Sequence, residues 1–351
     1  RKRQIGSRSP DDHRLETRMT SQKQSAFRRY RALLVLVPIL ALAAGGLYYL
    51  KRRAITLPES PIARVPRTAS AIAHVNVAAV VASPLWERLV VARGLDAPLV
   101  QIRERCGFDP VSQIEVLTFF ALGARPDGLD KVGVVAEGPF EHERLAECVR
   151  QALAAEGGTA GGGATMSQVE IDGVPAVASS TDESRAAFLG ERGNAAGMLP
   201  TVRAVIATVR GDAESASDDP VLSRLWSTVA AGRDIVLVGH VPPNWEESLR
   251  EAVGGERVAM ITSAFAGLRS VGLGLRLSGG LGFGGMLVLE NAERARTLST
   301  LLTSQIETLK NNMMVSLTPL GPIVRSVEVE HRGTDVVITL NVPQELSLIH
   351  I

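Results

Sequence analysis

Positions 32–50 are apolar or neutral without a break, from Ala32 and Leu33 through Leu50, and no charge falls among them. A helix rises 1.5 Å per residue, so about 19 residues reach roughly 30 Å, the hydrocarbon thickness of a bilayer. The run predicts one transmembrane helix over 32–50. Pro38 and Gly45-Gly46 are tolerated in it, because neighbouring groups re-satisfy the freed backbone. A core helix fits less well, since core helices are seldom apolar all round with basic residues at both ends. A cleavable signal peptide competes: Ala41-Leu42-Ala43 is an A-x-A pattern behind an apolar stretch. Against it, the stretch continues to Leu50 and ends in Lys51-Arg52-Arg53, like a stop-transfer flank.

Past the run, Pro58, Pro61 and Pro66 mark a stalk over 51–67. The pattern then switches between period 2 and period 3.6. A strand is expected at 71–77. Ser83 caps a helix with Pro84 in its first turn and Leu85, Trp86, Leu89 and Val90 on its apolar face. A second helix covers 96–106 and stops at Gly107. Strands are expected at 114–122 and 132–137, a helix at 141–155, a glycine-rich loop at 157–164, and a hairpin of 168–171 with 174–179 about Asp172-Gly173. Segment 182–230 reads as mainly helical. One helix there begins at Pro200 and ends at Gly211; another is capped by Asp219-Pro220, with Leu222, Leu225, Trp226 and Val229 inward.

The order then recurs: a strand at 234–240, a helix at 244–253, a hairpin of 270–277 with 281–290, a long helix at 292–310, and a hairpin of 323–330 with 335–342. Leu298, Leu301, Leu302, Ile306 and Leu309 form the apolar face of the long helix. Trp86-Glu87-Arg88-Leu89 is echoed by Trp245-Glu246-Glu247-Ser248-Leu249, and Val134-Val-Ala-Glu137 by Leu287-Val-Leu-Glu290. The expected fold class is α+β: a transmembrane helix, then a two-layer antiparallel-sheet and helix domain built as a tandem repeat. The divisions are a disordered basic tail (1–31), the membrane helix (32–50), the stalk (51–67), repeat 1 (68–180), a helical connector (181–233), repeat 2 (234–343) and a tail (344–351). Met19 is the expected start, and the last six residues, Leu346 to Ile351, read either as translated sequencing adapter or as an ordinary apolar tail.

Charge orients the chain. Arg28, Arg29 and Arg31 precede the apolar run and Lys51, Arg52 and Arg53 follow it, but segment 1–31 alone carries net +7. Lys and Arg are retained in the cytoplasm, so the N-terminus is expected inside and residues after 53 outside. This places the chain in a bacterial inner membrane, with its C-terminal domain periplasmic or extracellular. The overall net charge of +1 conceals net −9 over 54–351. A mildly acidic exported part is a poor nucleic-acid binder. Aromatics make up 4% of the chain, which also disfavours sugar and single-strand binding surfaces.

Little chemistry is visible. Gly280-Leu-Gly282-Phe-Gly284-Gly285 superficially resembles a phosphate loop, yet it lies in an alternating strand with no Lys-Ser/Thr behind it. Its glycines are expected to permit sheet bending or close helix approach. None of the six histidines has metal-ligand spacing; His142, between Glu141 and Glu143, reads as part of a helix start. No G-x-S-x-G is present, helix capping explains Asp219 of the Asp218-Asp219 pair, and the three tryptophans read as core. No catalytic residue, cofactor or metal is expected. The two cysteines, Cys106 and Cys148, are an even pair outside the cytoplasm and are expected to be oxidised.

At Ser83-Pro84-Leu85-Trp86, at Cys106-Gly-Phe-Asp-Pro110 and at Val134-Val-Ala-Glu-Gly138, the chain resembles uncharacterised exported bacterial proteins of the group called domain of unknown function 3352. The resemblance covers about 68–342. It implies the Cys106–Cys148 disulfide and transfers no catalytic residue. The function expected is that of a single-pass membrane-anchored exported protein, touching lipid through one helix and serving as a non-catalytic binding or structural module with a protein partner in the envelope. The alternatives are an exported hydrolase with a site built from scattered residues, and an accessory binding protein of a transporter.

Overall fold

Two strands far apart in sequence, β1 (Ala69–Asn76) and β8 (Ile235–His240), lie side by side and antiparallel, with Ile72 opposite Val238 and His74 opposite Val236. The computed structural model describes residues 55–94, 96–123, 131–140, 166–180, 182–247, 262–278, 280–318 and 320–343. Outward from β1 come β2 (Val116–Leu122), β3 (Val132–Glu137), β7 (Gly193–Met198), β6 (Ser184–Phe188), β5 (Val174–Ser179) and β4 (Met166–Ile171). Outward from β8 come β9 (Leu268–Arg276), β10 (Gly280–Leu289), β12 (Asp335–Pro343) and β11 (Glu328–Arg332). All neighbours pair antiparallel in one twelve-stranded sheet.

The helices are α1 (Val77–Val81), α2 (Pro84–Trp86), α3 (Ala97–Cys106), α4 (Leu199–Arg210), α5 (Pro220–Val229), α6 (Ala292–Lys310), α7 (Met313–Ser316) and α8 (Leu320–Arg325). Val202, Val205 and Ile206 of α4 and Leu222, Leu225 and Val229 of α5 share one core with Ile72, Val236, Val238, Met286 and Val288. Ala295 and Leu298 of α6 pack instead on Leu287, Leu289 and Val336. Alternate residues of a strand point to opposite faces. The helices therefore cover both faces of the sheet.

This corrects the expected fold class. The α+β arrangement of a membrane helix and a two-layer tandem repeat is replaced by one continuous sheet with helices on both sides. The reason lies in β1 and β8. Ile72 and Val238 are both 0% exposed, and leaving either strand as an edge would strand its backbone donors and expose these side chains. Among the described residues no helix is long and apolar enough to cross a membrane. The run 32–50 lies outside them, as do 141–155, 157–164 and 344–351 and most of 244–253.

Local signals hold where they are steric. Asp172 and Gly173 both have positive φ (50° and 76°), the backbone that a tight hairpin turn requires. Gly107 and Gly211 end α3 and α4 in left-handed conformation. The Ser83 side chain accepts from Trp86 N, and Asp219 accepts from Val221 N and Leu222 N. The differences are equally physical. Strands β6 and β7 occupy part of the segment read as helical; they are rich in Ala and Gly and buried on both faces, so they carry no alternation. Ile62 and Val65, inside the expected stalk, are core residues. On α6, Leu298 is buried while Leu301 and Leu309 are exposed, so only part of its apolar stripe meets the sheet.

Small residues on β9 let α5 approach. A methyl added at Gly274 would collide with the Val229 carbonyl oxygen, which is backbone and cannot step aside. Gly274→Ala is expected to lower unfolding stability by about 1–3 kcal/mol. Gly284→Ala, whose methyl would meet the Arg233 guanidinium at 3.5 Å, an ordinary van der Waals contact, is expected to stay within about 0.5 kcal/mol. Urea denaturation of the two variants checks this.

Candidate functional site

α5 lies across β8, β9 and β10, and polar side chains gather round it. At its N-terminus, Asp219 Oδ1 accepts from Val221 N (2.8 Å) and Leu222 N (2.9 Å). Asp219 Oδ2 lies 3.3 Å from His240 Nε2, and His240 Nδ1 lies 3.1 Å from Ser270 Oγ on the neighbouring strand. Burial pushes the Asp219 carboxyl up, but the Leu222 and Val221 amides and His240 outweigh it, and the group sits below the usual carboxylate range. A carboxylate on one ring nitrogen leaves the other as acceptor for the serine hydroxyl. The arrangement thus has the members of a nucleophilic triad. Ser270, however, is 2% exposed, so no acyl group reaches its oxygen. The chain Asp219–His240–Ser270 fastens the start of α5 to β8 and β9.

A second group lies under the middle of α5. His74 on β1 bonds Thr118 Oγ1 on β2 through Nδ1 (3.1 Å), and its ring meets Trp226 of α5 edge-on, with centroids 5.5 Å apart and planes at 72°. Burial, and then the charge of Arg64, push the imidazole down to about 4. His74 is therefore neutral at pH 7 and unsuited to proton transfer there. Arg64 is itself 5% exposed. Its Nε donates to Pro58 O (2.6 Å), its Nη2 to Glu59 O (3.1 Å), and it pairs with the Glu137 carboxylate. Burial lowers it to about 10, still charged at neutral pH. These bonds tie the lead-in before β1 to the end of β3.

Further round α5, Arg224 pairs with Asp335 of β12 at 3.0 Å. Beyond the helix, the Asp234 carboxylate takes Leu277 N (2.6 Å), Ser278 N (3.0 Å) and the Ser278 hydroxyl (3.2 Å), closing the turn after β9. Beside it stand Arg233 and Arg276, both half-buried.

Of the residues expected from sequence, Arg28, Arg29, Arg31, Leu33, Leu50, Lys51, Arg52 and Arg53 lie outside the described residues, as do His142 and Cys148. Cys106 ends α3, and its pairing with Cys148 is thus not placed. Trp226 lies against the core, as expected. Among the described residues no cluster of His, Cys, Asp and Glu is arranged for a metal ion. The groups that sequence reasoning missed are Ser270, His240, Arg233 and Arg276. Asp219 is visible as a cap, but its second partner lies 21 positions on and carries no local signal.

No family model matches the chain, and no curated protein does. Solved structures of TP0453 are similar to it at 9% identity. Crystal form III covers 83% of this chain and 98% of that one at a TM-score of 0.45; form IV covers 84% and 96% at 0.45; form I covers 82% and 95% at 0.41. Scores this low leave function to be argued from this chain's own residues.

The lowered His74 value sets a pH dependence. Between pH 6.5 and 4 the unfolded chain binds the proton and the folded one does not, so stability falls as pH drops through that window. The loss at pH 4 is expected to be on the order of 2 kcal/mol after discounting for partial exposure. His74→Gln, which keeps a partner for Thr118, is expected to flatten the slope. Urea midpoints from pH 4 to 7.5 measure it.

Proposed function

We propose that this chain is a single-pass membrane-anchored exported protein, N-terminus in the cytoplasm, whose sheet-bearing part is a non-catalytic module that binds a protein partner in the envelope. The anchoring and direction rest on the uncharged run 32–50 and the net +7 before it. The observation that carries the binding role is an apolar tip beyond α6. Met313, Met314 and Leu317 are 76%, 76% and 80% exposed, and Leu309 stands next to them on α6, also exposed. The tip is a built turn: the Asn312 side chain accepts from Met314 N (2.9 Å) and Val315 N (3.4 Å) and holds α7 in place. Contiguous exposed apolar side chains mark interaction surfaces. Methionines adapt their shape to a partner at small cost. The net −9 of the exported part disfavours anionic headgroups as the occupant and favours protein.

The second reading, an exported hydrolase, draws on Asp219–His240–Ser270, and the burial of Ser270 speaks against it.

A photo-crosslinking residue at position 314 of the full chain, activated in intact membranes, is expected to give one discrete protein adduct. Met313→Asp with Leu317→Asp is expected to abolish that adduct while shifting unfolding stability by no more than about 0.5 kcal/mol. A probe at exposed Glu330, on edge strand β11, is expected to give none. Lipid adducts alone, or an adduct indifferent to the double substitution, overturn the proposal.

A further inference from the structure

Arg233 and Arg276 converge on one place from two elements. Arg233 follows α5, and Arg276 is the last residue of β9. Across the sheet, Arg276, Gly282 and Asn341 stand on one rung, and Gly274, Gly284 and Thr339 on the next. A Cβ added at Gly282 would collide with Arg233 Nη1 and stand 3.2 Å from Arg276 Nε and 3.3 Å from Arg276 Nη2. Both guanidinium groups therefore border the space over Gly282, and the glycine floor brings them to the backbone.

Like charges this close ordinarily come with counter-charges, and the fold supplies little. The Arg233 backbone amide donates to Ala230 O (3.1 Å), but its guanidinium makes no hydrogen bond or ion pair among the described residues. Arg276 reaches Asn341 Oδ1 through Nη2 at 3.4 Å, and its buried Nε has no partner. Asp234 is the acidic neighbour, but its oxygens are taken by Leu277 and Ser278. Burial and then the Arg276 charge hold Arg233 below its ordinary value, with Asp234 opposing. An arriving anion would relieve the repulsion and satisfy the idle donors together.

We propose that Arg233 and Arg276, set over Gly282, form a binding site for a phosphoryl oxyanion. A planar carboxylate is satisfied by one guanidinium fork. Two forks from different elements suit a tetrahedral group, whose several free oxygens accept from both at once. The glycines act as a floor on a strand, with no helix N-terminus involved, so the site is unlike a phosphate loop. The phosphoryl group belongs to a soluble phosphate or to a lipid headgroup. This site is separate from the apolar tip, and either proposal stands without the other.

The test is calorimetric titration of the full chain in phosphate-free detergent, at constant ionic strength in sodium chloride, with inorganic phosphate. Saturable binding is expected. Arg233→Gln and Arg276→Gln are each expected to weaken it about 10-fold or more, the effect of one lost charged hydrogen bond. Gly282→Ala puts a methyl where Arg233 Nη1 stands, pushing the guanidinium aside without changing charge, and is expected to weaken it similarly. Thermal unfolding confirms that each variant folds, and either arginine variant suffices if Gly282→Ala does not. Displacement of phosphate by dihexanoyl phosphatidylglycerol assigns the site to a lipid headgroup; no displacement assigns it to a soluble phosphate. Absence of saturation in the wild-type chain, or equal affinity in the folded Arg233→Gln and Arg276→Gln variants, overturns the proposal.

Discussion

The pairing of β1 with β8 joins residues as distant in sequence as Ile72 and Val238, and each strand then continues the sheet on its other side. Without it, two half-sheets would each end in an unpaired, apolar edge. The cost of closing so long a loop grows only with the logarithm of its length. Five cross-strand partners and the burial of Ile72, Val236 and Val238 offset it. The packing of α4 and α5 presupposes this seam, because their shared core includes residues from both sides of it.

α5 converts that seam into a set of linked polar contacts. Its first turn is held through Asp219 to His240, its Trp226 closes over His74, and its Arg224 reaches Asp335. Gly272 and Gly274 beneath it allow a separation that side chains would forbid. Because the helix ends where it does, Arg233 falls on the glycine rungs of β10. The position of one short helix thus helps to bury His74 and decides where two guanidinium groups meet.

The two outward features of the described surface differ in kind. The tip at α7 is apolar and offers area. The arginine pair is polar and offers charge in a fixed geometry. Surfaces of the first kind take partners by excluding water; those of the second take them by hydrogen-bond direction. The Asp219–His240–Ser270 chain belongs to neither: its serine is buried and its histidine, though partly exposed, is committed to Asp219 and Ser270.

Much of the secondary structure was legible in the chain. Asp172-Gly173, Gly107, Gly211, Ser83 and Asp219-Pro220 act through local sterics and hydrogen bonds within a few residues, so each marks its turn or helix end wherever the segment lies. Periodicity located β1, β3, β8, α5 and α6 for the same reason. β6 and β7 escaped because burial on both faces removes the alternation that distinguishes a strand. The site was not legible at all: Arg233, Arg276 and Gly282, like Asp219, His240 and Ser270, are brought together by strand order. The amino-acid sequence by itself determined the elements that carry a local cap, turn or periodicity, the uncharged run and the asymmetry of charge. Only the tertiary structure decided that the strands form one sheet, which faces the helices cover and which polar groups meet, because those outcomes depend on burial between residues that no local pattern connects.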